Sequence, residues 1–150
     1  MTWVNTGAGH RRTVFTMNGA MVLNQPSVDI LLGVDREYLE RARAGSLPKI
    51  SPRRFNPEGI AWLPVLHTRY GPWRFTALFS NTERAHDLRR THDWVVIYYD
   101  DGDEIEGQVT VVTERRGDLT GKRVVRGREP ECARHYRAES LEPSLIVSEG

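Results

Sequence analysis

The run "FTALFSNTERAHDLRRTHDWVVIYYDDG", Phe75 to Gly102, places His86, His92, Asp93 and the pair Arg89-Arg90 between two apolar stretches. An imidazole titrates near neutrality, and one oriented by a carboxylate is a general base. His67 closes the preceding apolar stretch. If His67, His86 and His92 converge at one end of a sheet with Asp93 holding a ring, the group suits a small hydrolase or nuclease. No nucleophile stands in an elbow or triad setting, which places that reading second. His86 and His92 are six apart, and neither H-x-x-x-H nor H-E-x-x-H occurs, so neither a metal nor another cofactor is expected.

The carboxylates of "DDGDEIE", Asp100 to Glu106, lack the spacing of a twelve-residue calcium loop. Glu106 and Glu114 lack the Glu-x-Lys companion of many nuclease sites, because Gln108 stands two after Glu106. A solvated hairpin turn is the expectation there.

Arginines carry the leading reading. Of 21 Lys and Arg, only Lys49 and Lys122 are lysines. Guanidinium forks bidentately onto phosphate or carboxylate and stacks on flat rings. Arg53, Arg54, Arg89, Arg90, Arg123, Arg126 and Arg128, if gathered on one face, form a phosphate-tracking stripe, with Tyr70 or Trp73 available for base stacking and His86 and His92 as polar contacts. The net charge of +1 leaves open a scattered, solubilising arrangement. A third reading, from another class, is a protein-interaction domain whose arginines meet an acidic partner.

The elements that must position these groups follow from the apolar pattern. At 150 residues the chain suits one compact domain. Asn18-Gly19 between short apolar segments permits a hairpin, within a region read as a loosely held arm. "VDREYLERARAG" predicts a helix capped by Asp35 and stopped at Gly45. Three prolines in "SLPKISPRRFNPEG" predict an extended connector without helix or sheet, and the boundary of the folded module is set near Asn56. "IAWLPVLHT" and "WRFTALFS" flank the turn "RYGP", with Pro64 marking an edge or bulge. Ser80 and Glu83 form a capping box for a short helix. "WVVIYY", apolar on both alternating sides, predicts a central strand covered on each face, followed by strands "QVTVVTE" and "KRVVRG" and a helix on which Cys132 and Tyr136 share a face.

The expected fold is α+β: a four- or five-stranded, mostly antiparallel sheet with a short helix after the second strand and a C-terminal helix. Residues 1–55 are the arm, helix and connector, 56–138 the α+β module, and 139–150 a flexible tail. The single Cys132 excludes an internal disulfide framework and goes with a reducing, cytoplasmic setting. No membrane span or secretory signal is read.

"PRRFNPEGIAWLPVLHT", "WRFTALFSNTERAHDL", "THDWVVIYY", "VTVVTE" and "GDLTGKRVVRGRE" together resemble a module of bacterial helix-hairpin-helix DNA-binding proteins related to family X DNA polymerases. The resemblance spans about Ile30 to Tyr136. It implies association with DNA repair or processing, with DNA and repair proteins as partners. No G-x-G hairpin of the DNA-binding type precedes the first helix and no polymerase carboxylate motif occurs, so polymerase activity and hairpin-mediated binding do not carry over. The resemblance therefore implies an accessory, non-catalytic role for a chain that reads as the module almost alone.

Overall fold

The computed structural model describes residues 25–141 in full, together with the backbone of two strands before them and of the last helix beyond them. Strands β1 (Phe15–Met17) and β2 (Ala20–Val22) pair antiparallel. The hairpin is therefore formed, although the Asn18-Gly19 turn itself lies outside the described residues.

Helix α1 covers Val28–Arg43. It starts a full two turns before the expected Asp35 cap. Ser27 is the N-cap, its hydroxyl accepting from the Ile30 amide, and Asp35 sits in mid-helix, 1% exposed. The apolar "VDILLGV" preceding Asp35 supplies Val28, Leu31, Leu32 and Val34 to the core. The C-terminus ends as expected: Gly45 adopts φ +72°, its amide donating to Ala42 O while Ser46 N donates to Arg41 O, the paired bonds of a Schellman motif.

The main sheet has six antiparallel strands in chain order: β3 (Lys49–Ile50), β4 (Leu63–Tyr70), β5 (Trp73–Phe79), β6 (Val95–Asp100), β7 (Glu106–Thr113) and β8 (Arg123–Val125). The strand count exceeds the expected four or five. Part of the reason is that Lys49 and Ile50, within the Pro-rich connector, still pair with Pro64 and Leu63. Pro64 is tolerated because it stands where β4 and β5 part, its carbonyl accepting from the Tyr38 hydroxyl, so the amide it lacks is missing from no ladder bond. Helix α2 (Glu83–Asp87) follows β5, the fifth strand of the chain rather than the second, and α3 runs Glu129–Glu149. The backbone is thus helical over most of the segment expected as a tail. Thr82, not Ser80, caps α2 by accepting from Ala85 N; Ser80 is buried and contacts the Thr82 hydroxyl instead.

Only one face of β6 is covered. Val95, Ile97 and Tyr99 are buried, whereas Tyr98 is 48% exposed, so the expectation of a strand covered on both sides fails. In the same cross-strand row as Tyr98 lie His67, Thr76 and Gln108. Polar neighbours on adjacent strands decided which side stays open, and a single strand's apolar run does not carry that information.

Residues on both sides of Asn56 belong to one core, since Leu31, Val34 and Tyr38 of α1 cluster with Leu66, Ala77 and Ile97 of the sheet. The Tyr38 hydroxyl donates to Pro64 O at 2.8 Å and accepts from Phe79 N at 2.9 Å. Cross-strand pairing of β4 with β5 reaches Val65 and Leu78. Tyr38 therefore bridges the next pair of backbone groups, where the strands part. On α3, Cys132 and Tyr136 share a face as expected: the buried thiol accepts from Val125 N, and the phenol donates to Arg123 O.

Candidate nucleic-acid interface

The seven arginines expected on one face divide into two groups. Arg123, Arg126 and Arg128 are committed to acceptors within the fold. Arg123 forks onto Asp35 (Nε to Oδ2 3.0 Å, Nη2 to Oδ1 2.8 Å) and reaches Asp93 at 3.0 Å. Burial pushes the Asp35 carboxyl above its ordinary value, against the opposing pull of the Arg123 hydrogen bond and charge. Arg126 bridges Glu114 and Glu129, and Arg128 holds Glu131 in a fork while donating to Pro26 O. Each of these three guanidinium groups is thus already paired with carboxylates of the fold.

Arg53, Arg54, Arg89 and Arg90 have no carboxylate within 4 Å among the described residues. Arg53 and Arg54 lie in the loop before β4, and Arg89 and Arg90 directly follow α2. Two contacts join these segments. The Phe55 ring lies 4.4 Å, centroid to centroid, from the His86 imidazole. Asn81 donates to Arg54 O, and its carbonyl oxygen lies 2.6 Å from His86 Nε2, which makes that nitrogen the donor. The Arg54 guanidinium sits 5.2 Å from the Phe55 centroid, within cation–π range.

The loop is shaped by Asn56, whose amide nitrogen donates to Pro52 O and Ile60 O while its oxygen accepts from Ile60 N. Phe55 is held at φ 54° and Arg89 at φ 58°, the only non-glycine residues with positive φ among those described. At Arg89 this is the left-handed end of α2, with Arg89 N donating to His86 O and Arg90 N to Ala85 O as in a Schellman motif, so Phe55 alone carries a positive φ, costing on the order of 1 kcal/mol, that no helix end explains. Both lie in the patch. Phe55 remains 46% exposed, with Ile60 and Leu88 exposed as well.

Next to this patch the His92 ring lies 6.0 Å from Trp62 and 5.2 Å from Phe79. His86 and His92 line one shallow depression together with Phe55, Ile60 and Trp62. His67 is elsewhere: its Nδ1 lies 3.1 Å from Thr76 Oγ1 on the open sheet face, beside Arg69, Arg74 and Asp100. Asp93 orients no histidine. Its oxygens accept from Thr113 N, the Thr113 hydroxyl and Arg123. The three-histidine cluster is therefore not assembled, and among the described residues no group of three metal-ligating side chains occurs. The expected stacking residues are also occupied. Tyr70 donates to Glu37, and Trp73 packs edge-on against Tyr99 at the far end of the β4–β5 hairpin.

In the acidic turn, Asp100 accepts from Arg74 and from Gly102 N, and Asp101 accepts from the Asp103 and Ile105 amides. These carboxylates close a hairpin, as expected. The residues that sequence reasoning missed are Phe55, Trp62, Asn56 and Asn81. An aromatic directly following Arg53-Arg54 was the available signal; the His86 contact was not, because it joins segments 31 residues apart.

Comparison with known protein families, curated proteins and solved structures returns no match.

Proposed function

We propose that this protein is an accessory nucleic-acid-associated domain, of the DNA repair or processing kind, that contacts phosphates through Arg53, Arg54, Arg89 and Arg90. The observation that carries the reading is the division among the arginines. Of the seven arginines expected on one face, Arg123, Arg126 and Arg128 are held by carboxylates, while of the four without such partners Arg54 lies over the exposed Phe55 ring that contacts His86, and Arg89 and Arg90 follow the helix that carries His86. Uncommitted guanidinium groups beside exposed rings match the two needs of a nucleic-acid strand, charge neutralisation and stacking. The module resemblance in "PRRFNPEGIAWLPVLHT" and "TERAHDL" favours DNA among polyanions; those strings contain Arg53, Arg54, Phe55 and His86 but not Arg89 or Arg90. The free, buried Cys132 goes with a reducing, cytoplasmic setting. No helix among the described residues is long and apolar enough to cross a membrane.

A labelled oligonucleotide tests the reading. Four phosphate contacts give a slope of about −3 in log affinity against log salt. Arg89→Ala and Arg90→Ala should each reduce that slope by about 1, whereas Arg126→Ala leaves it unchanged. Binding that is the same at low and moderate salt overturns the proposal.

The exposed apolar groups Phe55, Ile60 and Leu88 beside the same arginines favour one second reading, a docking patch for an acidic protein partner. Competition by a polyglutamate peptide, at a concentration where the oligonucleotide does not compete, would select it.

A further inference from the structure

The patch continues into a groove whose chemistry fits unpaired bases. Two depressions meet at Trp62 and His92, which line both. The first, about 340 Å³, lies between the end of α1 and the start of β4, with Leu39, Pro64 and Phe79 as its apolar floor and Arg43 and Lys49 as its cationic lining. The second, about 280 Å³, continues past Phe55 and His86. Each is near the lower size limit of small-molecule sites. Neither Arg43 nor Lys49 has a carboxylate within 4 Å among the described residues, although Arg41, two positions before Arg43, is paired with Glu37. The outer patch and the groove therefore form one track: arginines at Arg53, Arg54, Arg89 and Arg90, rings at Phe55, His86, His92 and Trp62, then cations again at Arg43 and Lys49.

Resting on the proposed DNA association, we propose that this track binds single-stranded rather than duplex DNA, with an unstacked base received against Trp62 and His92 and the flanking phosphates on Arg43 and Lys49. Bases stacked inside a duplex have their faces covered by their neighbours, whereas those of a single strand present them freely to the rings that line these shallow depressions. Stacking tolerates any base, and the groove is expected to show little sequence preference. The Asn81 carbonyl oxygen and His86 Nε2 are already spent on each other, which removes two groups otherwise suited to reading base edges.

Three labelled probes of equal length separate the contributions: a 12-mer single strand, its blunt duplex, and an abasic 12-mer with the same number of phosphates. The single strand should bind about 5- to 100-fold more tightly than either of the others, the range expected for the stacking of one base. Trp62→Leu should abolish the difference between the normal and abasic strands while sparing duplex binding, although Trp62 packs on the core and Tm should fall. Should that variant lose its fold, His92→Ala serves in its place. Equal binding of all three probes, or a normal strand that binds no better than the abasic one, overturns this inference and leaves the phosphate-binding role standing. Absence of binding to every probe, or tighter binding of a polyglutamate peptide, overturns both.

Discussion

Asp35 and Arg123 are separated by 88 positions in the chain, yet their carboxylate and guanidinium are joined by two hydrogen bonds of 3.0 and 2.8 Å. The pair fastens α1 to β8, and Asp93 and Thr113 complete the coordination of the guanidinium. An arginine surrounded in this way is unavailable to a ligand. That one relationship removes Arg123 from any binding surface and leaves Arg53, Arg54, Arg89 and Arg90 of the expected set without a carboxylate partner among the described residues.

Removing one member of a buried pair leaves the other charge uncompensated. Asp35→Ala should destabilise the fold by about 3 kcal/mol, the lower end of the usual range, because Arg123 keeps Asp93. Arg126→Ala, on a more exposed bridge, should cost less than about 1 kcal/mol. Urea melts of the two variants give the comparison, and equal losses would contradict the assignment of Asp35 to the core.

Tyr38→Phe keeps the ring against Phe79 but leaves Phe79 N and Pro64 O without their shared partner. The expected loss is about 1–3 kcal/mol. Hydrogen exchange at the Phe79 amide should accelerate more than at the paired residues of β6. An unchanged Phe79 rate would show that the hydroxyl does not bridge the strands.

Gly107 faces Tyr99 across β6 and β7, and a Cβ there would lie 2.5 Å from the phenolic oxygen. The Tyr99 ring is itself backed by Trp73. Gly107→Ala should therefore destabilise by about 1–3 kcal/mol through overpacking, although alanine suits a strand better than glycine. A thermal melt shifted upward would contradict this packing.

Acid should weaken the clamps around α3. The Arg126 hydrogen bond holds the Glu114 carboxyl below its ordinary value of 4.5, and the Arg128 hydrogen bond does the same for Glu131. With folded values lower than unfolded ones, the unfolded chain binds more protons in this window. Their contribution to stability is thus present above about pH 4.5 and lost as pH falls through the folded values. Asp35, raised by burial, acts in the opposite sense and flattens this limb. Arg128→Met should reduce the fall in Tm between pH 5 and pH 3; an unchanged fall would assign it to other carboxylates.

Phe55 offers a separation of binding from stability. Phe55→Gly relieves the positive φ while deleting an exposed ring. Stability should change by less than about 1 kcal/mol, as the strain relieved offsets the added freedom of the unfolded chain. Oligonucleotide affinity should fall at least about fivefold. A large loss of stability with affinity intact would make Phe55 a structural residue.

Local chemistry made much of the fold legible. Gly45 stopped α1 because a left-handed residue is needed there, "RYGP" turned β4 into β5, and Cys132 and Tyr136 shared a helical face. The α+β class follows from these periodicities alone. The start of α1 was misplaced because past Asp29 "VDILLGV" has no polar residue to mark helix from buried strand, and Asp35 looked like a cap only while its partner on β8 was unknown. Which arginines are free was decided by tertiary structure, since a guanidinium's availability depends on the carboxylates that folding brings within about 4 Å. The same holds for the open sheet face and for the Phe55–His86 contact. Backbone propensity acts over neighbouring residues, whereas charge pairing and ring contacts act across whatever surfaces the packed core brings together.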